Sequence, residues 1–266
     1  MSKSIFQHFL KSGDNLSDKK RIHFIDEVRG FCVACMVFFH AMYTFGFMFG
    51  YPVAQKLFFF FSFISPAFSF AFIMMCGISS TLSRSNFKRS LPILGAAMVV
   101  TLVSVFMMPD APIIFGILHL LGVCVLLYSL TEKLFLKINP AVGLAVSLVL
   151  FAVTYNVMNG YLGFGSFSIN LPEVLYENNT LSIFGFLGKG TSYSDYFPLL
   201  PWMFAYFSGT FAGRLLKGRY PAFMYKKRIK FFTLLGTNAF IVYVIHQPII
   251  FGVSYILTLL FGGIYK

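Results

Sequence analysis

Three histidines stand inside runs otherwise built of Phe, Leu, Ile, Val and Met: His40 in "FCVACMVFFHAMY", His119 in "PIIFGILHLLGV" and His246 in "IVYVIHQPII". Imidazole titrates near neutral pH, so it can take a proton from a hydroxyl or amine, or carry an acyl group as a nucleophile. An ionisable group inside an apolar run is costly and is by default a functional hypothesis. Asp195, in "SYSDYFPLLPW", sits at the mouth of another apolar run, where a carboxylate would orient a histidine or touch a polar substrate. Asp26 and Arg29 are three apart and share a helix face. Arg29 and His40 are eleven apart, which returns nearly to that face after a rise of roughly 16 Å. One face thus carries a cation at one end and a histidine toward the other. This suits a donor with an anionic head and a distant reactive end, and acyl-coenzyme A has that shape.

Each residue also has a plainer reading. A membrane histidine can serve only as a hydrogen bond between helices, and His246 stands beside Pro248, whose kink frees a carbonyl for it. Arg29 can be a topology anchor paired with Asp26. Gly116, His119 and Gly122 recur at threes, leaving room for a substrate or simply for a neighbouring helix. Ser62, Ser65, Ser69 and Cys76 form a stripe with Pro66 that reads as a packing face. The histidines show no H-x-x-x-H or H-x-x-E spacing, so no metal is expected. His8 and His23 fall outside the apolar runs. Cys32, Cys35, Cys76 and Cys124 all lie inside them and read as small packing residues.

The elements that must position these groups are membrane helices. The 266 residues are 58% hydrophobic and only 11% charged, against about 25% charged in soluble domains, and the mean hydropathy is +0.77. Residues 1–20 are polar and mixed, without a signal-peptide core, so they read as a polar cytoplasmic segment before an uncleaved first helix. Residues 21–266 read as one transmembrane domain. Apolar stretches of spanning length cover roughly 25–47, 56–81, 91–108, 112–131, 138–158, 197–216 and 235–262. The expected fold is an all-α polytopic membrane bundle of about seven helices, integral to the cell membrane. The last stretch is read as one helix kinked at Pro248.

Charge sets the orientation. With seven spans, Arg29, Arg84, Lys88, Arg89, Lys133, Lys137, Arg214, Arg228 and their basic neighbours, Lys19 and Lys20 included, share one side. The other side keeps Lys56, Lys189 and Lys266. The positive-inside bias puts the N-terminus in the cytoplasm. Topology and anionic lipid therefore explain the net charge of +12, and no nucleic-acid partner is expected. Residues 222–233, "AFMYKKRIKFFT", read as a basic interfacial helix. Residues 159–194 form a long outer loop, either a cover over an outward-facing site or a connector. By this orientation His40 and His119 occupy one outer layer.

Five stretches in order resemble a known family: "RIHFIDEVRGFCVACMVFFH", "FIMMCGISSTLSR", "PIIFGILHLLGVCVLLY", "SDYFPLLPWMFAYFSGTFAGR" and "GTNAFIVYVIHQPII". Over residues 21–250 or so the chain is similar to the catalytic domain of heparan-alpha-glucosaminide N-acetyltransferases and their bacterial relatives. These belong to the wider integral-membrane acyltransferase superfamily. The resemblance implies acetyl transfer from cytosolic acetyl-CoA to a sugar hydroxyl or amine across the membrane. His40 would be the catalytic base or nucleophile. His119 or Asp195 would orient it, and Asp26 and Arg29 would handle the donor. The animal enzymes carry Asn where this chain has His40, and a catalytic His in the following luminal loop. Here that loop, "TFGFMFGYPVAQK", has none, so the animal site does not carry over intact. The implied partners are the lipid bilayer, acyl-CoA and a glycan acceptor, with a homodimer left open. Two other readings stand beside this one: a transporter or flippase for a polar solute with a histidine relay, and a non-catalytic membrane partner.

Overall fold

The computed structural model describes residues 21–261. The polar segment 1–20, with His8, Lys19 and Lys20, and the terminal Lys266 lie outside the described residues. The described chain is mostly helical: α1 His23–Tyr43 with a π-helical turn Thr44–Met48, α2 Pro52–Ser80, α3 Asn86–Met107, α4 Ile117–Lys137, α5 Pro140–Thr154, α6 Leu199–Leu216, α7 Lys230–Thr237 and α8 Ala239–Phe261. Their starts follow local chemistry. Pro52 and Pro140 open α2 and α5, positions where the missing N–H costs nothing. Ser85 and Asn139 cap α3 and α5 by accepting from Lys88 N and Ala141 N, which satisfies backbone donors that the first turn leaves free.

Six helices are long and apolar enough to cross a membrane: α1 to α5 and α8, with the turns that extend α1 and α5. The seventh expected stretch is α6. It is helical but shorter, and it carries Arg214, Ser208 and Thr210. Its Ala205, Tyr206, Ser208 and Thr210 are fully buried, so α6 is covered by protein and needs less apolar surface than its neighbours. The chain is thus an integral, multi-pass membrane protein.

Small residues set the helix crossings. A Cβ on Gly77 of α2 would stand 2.1 Å from Tyr206 O, and one on Gly209 of α6 would stand 2.0 Å from Met74 O. Such backbone-to-backbone approach admits only glycine. A second crossing pairs α1 with α7, where a Cβ on Gly30 would meet Phe232 O at 1.8 Å and one on Gly236 would meet Asp26 O at 1.8 Å. The main core lies where α2, α4 and α6 meet, around Ile73, Leu120, Cys124, Tyr128, Trp202 and Tyr206. Tyr206 Oη donates to Ser80 Oγ at 2.7 Å, so that buried hydroxyl is satisfied.

Two readings of the C-terminal third change. Residues 222–233 are not one interfacial helix: a short 3₁₀ turn, Ala222–Tyr225, is followed by non-helical residues before α7 begins at Lys230. The buried Glu27 explains the start. Its Oε1 accepts from the N–H groups of Arg228 and Ile229, the latter at 3.0 Å, and from Thr233 Oγ1 at 3.3 Å. A carboxylate there satisfies free donors and complements the positive end of α7. The final apolar stretch does divide, but at Asn238. Pro248 lies inside the continuous α8.

Candidate functional site

His40 ends up against His246. Helix α1 packs along α8, and the two imidazole centroids are 5.1 Å apart at 50°. One turn beyond His40, Gln247 Nε2 donates to the buried Thr44 Oγ1 at 3.2 Å, tying α8 to α1 next to the pair. Thr44 opens the π-helical turn. Such bulges re-aim side chains and gather at functional sites. His246 Nδ1 lies against Tyr243 O. A carbonyl only accepts, so Nδ1 carries the hydrogen and Nε2 keeps its lone pair. Among the described residues, neither ring nitrogen of His40 has a hydrogen-bond partner.

Asp195 is joined to this pair through Tyr243. Its Oδ2 accepts from Tyr243 Oη and from Ile117 N at 3.3 Å, the first residue of α4. Two backbone bonds hold its loop in place, Ser194 N to Pro112 O at 3.3 Å and Phe197 N to Phe115 O at 3.0 Å. Asp195 itself has φ +48°, a left-handed conformation uncommon outside Gly, Asn and Asp. Gly116 makes the fit possible: a Cβ there would stand 2.7 Å from Asp195 Oδ2. Burial pushes the Asp195 carboxyl up to about 6, while the bonds from Tyr243 and Ile117 pull it back down.

His119 is committed elsewhere. Gly116 N donates to His119 Nδ1 at 3.2 Å, so the ring hydrogen sits on Nε2. That nitrogen is 3.0 Å from Thr101 Oγ1, which donates in turn to Ile113 O at 2.7 Å. Both ring nitrogens of His119 and the Thr101 hydroxyl are thus paired. His119 clamps the start of α4 and the 108–116 loop onto α3. The structure thus brings together His40, His246 and Asp195, and sets His119 behind Asp195 as a support.

Two cavities meet at this point. The first, about 170 Å³, is lined by His40, Asp195, Ser65, Ser69 and Cys35 among phenylalanine rings. The second, about 250 Å³, holds Arg29, Arg89, Cys76 and Tyr243. They share Phe72 and Ile117 as walls. The stripe on α2 that reads as a packing face thus gives Ser65 and Ser69 to one cavity and Cys76 to the other. Asp26 and Arg29 lie at the second cavity's end of α1, as their spacing from His40 requires. Asp26 Oδ2 accepts from Arg21 Nε at 2.8 Å. Arg29 Nη1 reaches Asp26 Oδ1 only at 3.8 Å. Arg29 Nε is buried with no partner among the described residues. Among the described residues Arg89 Nη1 has only Ser80 Oγ, at 3.4 Å. Two guanidinium groups with spare donors on one cavity are suited to an anion.

Tyr243, Glu27 and Gln247 were not singled out by sequence reasoning. Tyr243 had a signal, since it lies three before His246 on the same helix face. Among the described residues no group of three or more His, Cys, Asp or Glu stands together as metal ligands. No curated protein and no solved structure matches the chain. Among protein families, residues 21–248 match the one described as Heparan-alpha-glucosaminide N-acetyltransferase, catalytic.

Proposed function

The chain belongs to the heparan-alpha-glucosaminide N-acetyltransferase catalytic family, and from that premise we propose that it moves an acetyl group from cytosolic acetyl-CoA to a sugar hydroxyl or amine on the opposite side of the membrane. Acetyltransferase chemistry follows from the family. The donor, the sidedness, the acceptor and the residue roles are our reading.

Acetyl-CoA docks with its phosphates toward Arg29 and Arg89, whose spare donors match a phosphate fork. Its pantetheine arm follows the wall formed by Phe72 and Ile117 toward the first cavity. There His40 takes the proton from the acceptor hydroxyl or amine as its oxygen or nitrogen attacks the thioester carbonyl. The C–S bond breaks, the acetyl group stays on the acceptor, and the thiolate leaves with the proton returned from the imidazole. His246 stands beside His40 with Nδ1 held by Tyr243 O, so its Nε2 lone pair is available to share that proton. Asp195 positions the pair through Tyr243. His119 keeps α4, and with it Asp195, in register.

The observation that carries this reading is the contact of His40 and His246 at the edge of a cavity that abuts a second one lined by two under-paired arginines. The test uses protein in liposomes with acetyl-labelled acetyl-CoA enclosed on the side of Arg29 and amino sugars or glycans outside. Label appearing on the outer acceptor supports the proposal. A transporter would instead move solute with no acetyl-CoA present, and that result would overturn it.

A further inference from the structure

The long loop after α5 carries a feature that the acyl-transfer reading does not use. Strands β1 Tyr161–Leu162 and β2 Ile169–Asn170 pair antiparallel, Tyr161 with Asn170 and Leu162 with Ile169. A hairpin this short is marginal by itself in water. Its turn is bound back to the end of α5: Gly163 N donates to Val153 O at 2.8 Å, and Asn156 Nδ2, just past the helix, donates to Gly163 O at 2.9 Å. The turn is held open by Gly163 at φ +85° and Gly165 at φ +52°.

The hairpin presents Phe167, 92% exposed, Ile169, 69% exposed, and Phe164, 52% exposed. A water-facing loop gains nothing by showing three large apolar side chains in six residues. Phe164 stacks on Tyr155 with centroids 6.4 Å apart, Tyr155 meets Phe151 at 5.7 Å, and Phe151 meets the buried Trp202 at 5.6 Å. An aromatic line therefore runs from the core to the hairpin at the very end of a membrane helix, where aromatic belts mark the lipid–water boundary. On α5 itself Val142, Val146, Val149 and Val153 form one exposed stripe facing lipid. The hairpin docks on the end of this same lipid-covered helix, through Val153 O and the Tyr155 ring. Residues 138–172 contain no Asp, Glu, Lys, Arg or His, so nothing there opposes contact with hydrocarbon and nothing favours a charged partner.

We propose that the 161–170 hairpin is a membrane-interface anchor, with Phe164, Phe167 and Ile169 seated at the boundary between headgroups and acyl chains. The occupant of this apolar surface is the bilayer that already covers α5. The inference stands apart from the acyl-transfer reading and holds whichever side of the membrane the loop faces.

The test is Phe167→Trp in the full chain, reconstituted in phosphatidylcholine vesicles and read against wild type, whose one tryptophan is Trp202. Because Phe167 is exposed, the fold is expected to survive, and an unchanged elution volume checks this. The added emission should be blue-shifted, lose intensity with lipids brominated near the headgroup end of the chains, and resist aqueous iodide. It should not change when anionic lipid is added or salt is raised. Red-shifted, iodide-quenched emission would place the hairpin in water and overturn the proposal. Blue-shifted emission untouched by brominated lipid would mean that protein, a second copy or another partner, covers the surface, and would overturn it equally.

Discussion

Replacing Tyr243 by Phe removes one hydroxyl and leaves the ring that lines the second cavity. Among the described residues, Asp195 Oδ2 then keeps only the Ile117 N–H. A hydrogen bond to a charged group contributes about 1.5–3 kcal/mol, which corresponds to roughly one to two pH units of proton affinity at about 1.36 kcal/mol each. The Tyr243 bond pulls Asp195 down from where burial would put it, and its carboxyl stands at about 6. Without that bond it should rise to roughly 7–8. The ionised carboxylate is the form that accepts from both donors. In wild type it predominates at pH 7, whereas in Tyr243→Phe it should be between about half and a tenth of the population. The expected result is a loss of roughly two- to tenfold in acetyl transfer at pH 7, recovered by pH 9, with the acid limb of the rate profile moved up by one to two units. The assay is initial rate against pH in proteoliposomes, normalised to folded protein. In an Asp195→Asn background the same substitution should move no limb. A uniform loss at every pH, with the limb unmoved, would show that the hydroxyl acts by some route other than Asp195.

Three further outcomes follow from the geometry. Asp195→Asn should raise the melting temperature at pH 8 and not at pH 4: the carboxyl's folded value, about 6, exceeds its ordinary one, so native stability from this group is full below about 4 and falls as pH climbs through 6, by at most about 3 kcal/mol. Equal melting shifts at both pH values would contradict the burial cost. Arg29→Gln should raise KM for acetyl-CoA roughly 10- to 100-fold with kcat little changed, since about 1.5–3 kcal/mol of charged hydrogen bonding is lost from ground and transition states alike; a change confined to kcat would remove Arg29 from donor binding. His119→Gln, which can both accept and donate, should keep most activity per folded molecule, whereas His119→Ala leaves Gly116 N without its acceptor and removes one of the two bonds of Thr101 Oγ1, and should lower stability by about 1–3 kcal/mol, seen as an earlier thermal melt.

The spans were legible because a bilayer demands some twenty apolar residues and the chain supplies them. Helix α6 departs from that pattern, since a helix enclosed by others can carry Ser208, Thr210 and Arg214; Arg214 spends its charge on the last carbonyls of α4, at Phe135 and Leu136. The start of α7 was misread because its determinant, Glu27, lies about two hundred residues away in sequence. The histidines show the same limit. Counting helical rise gives depth, and His40 and His119 can share a layer on that basis. Which helices are neighbours is decided by the crossing at Gly30 and Gly236, which holds α7 against α1 and leads α8 down beside His40. Periodicity on one helix does not report that contact.

The most direct test of the central claim is the acetyl-transfer rate of His40→Ala measured beside His119→Gln, both in liposomes at matched amounts of folded protein. Loss of a general base should lower the His40→Ala rate by about 10²–10⁴, with acetyl-CoA binding retained and His119→Gln near wild type. Full activity in His40→Ala would contradict the account, because the group facing the cavity would then take no part in moving the proton.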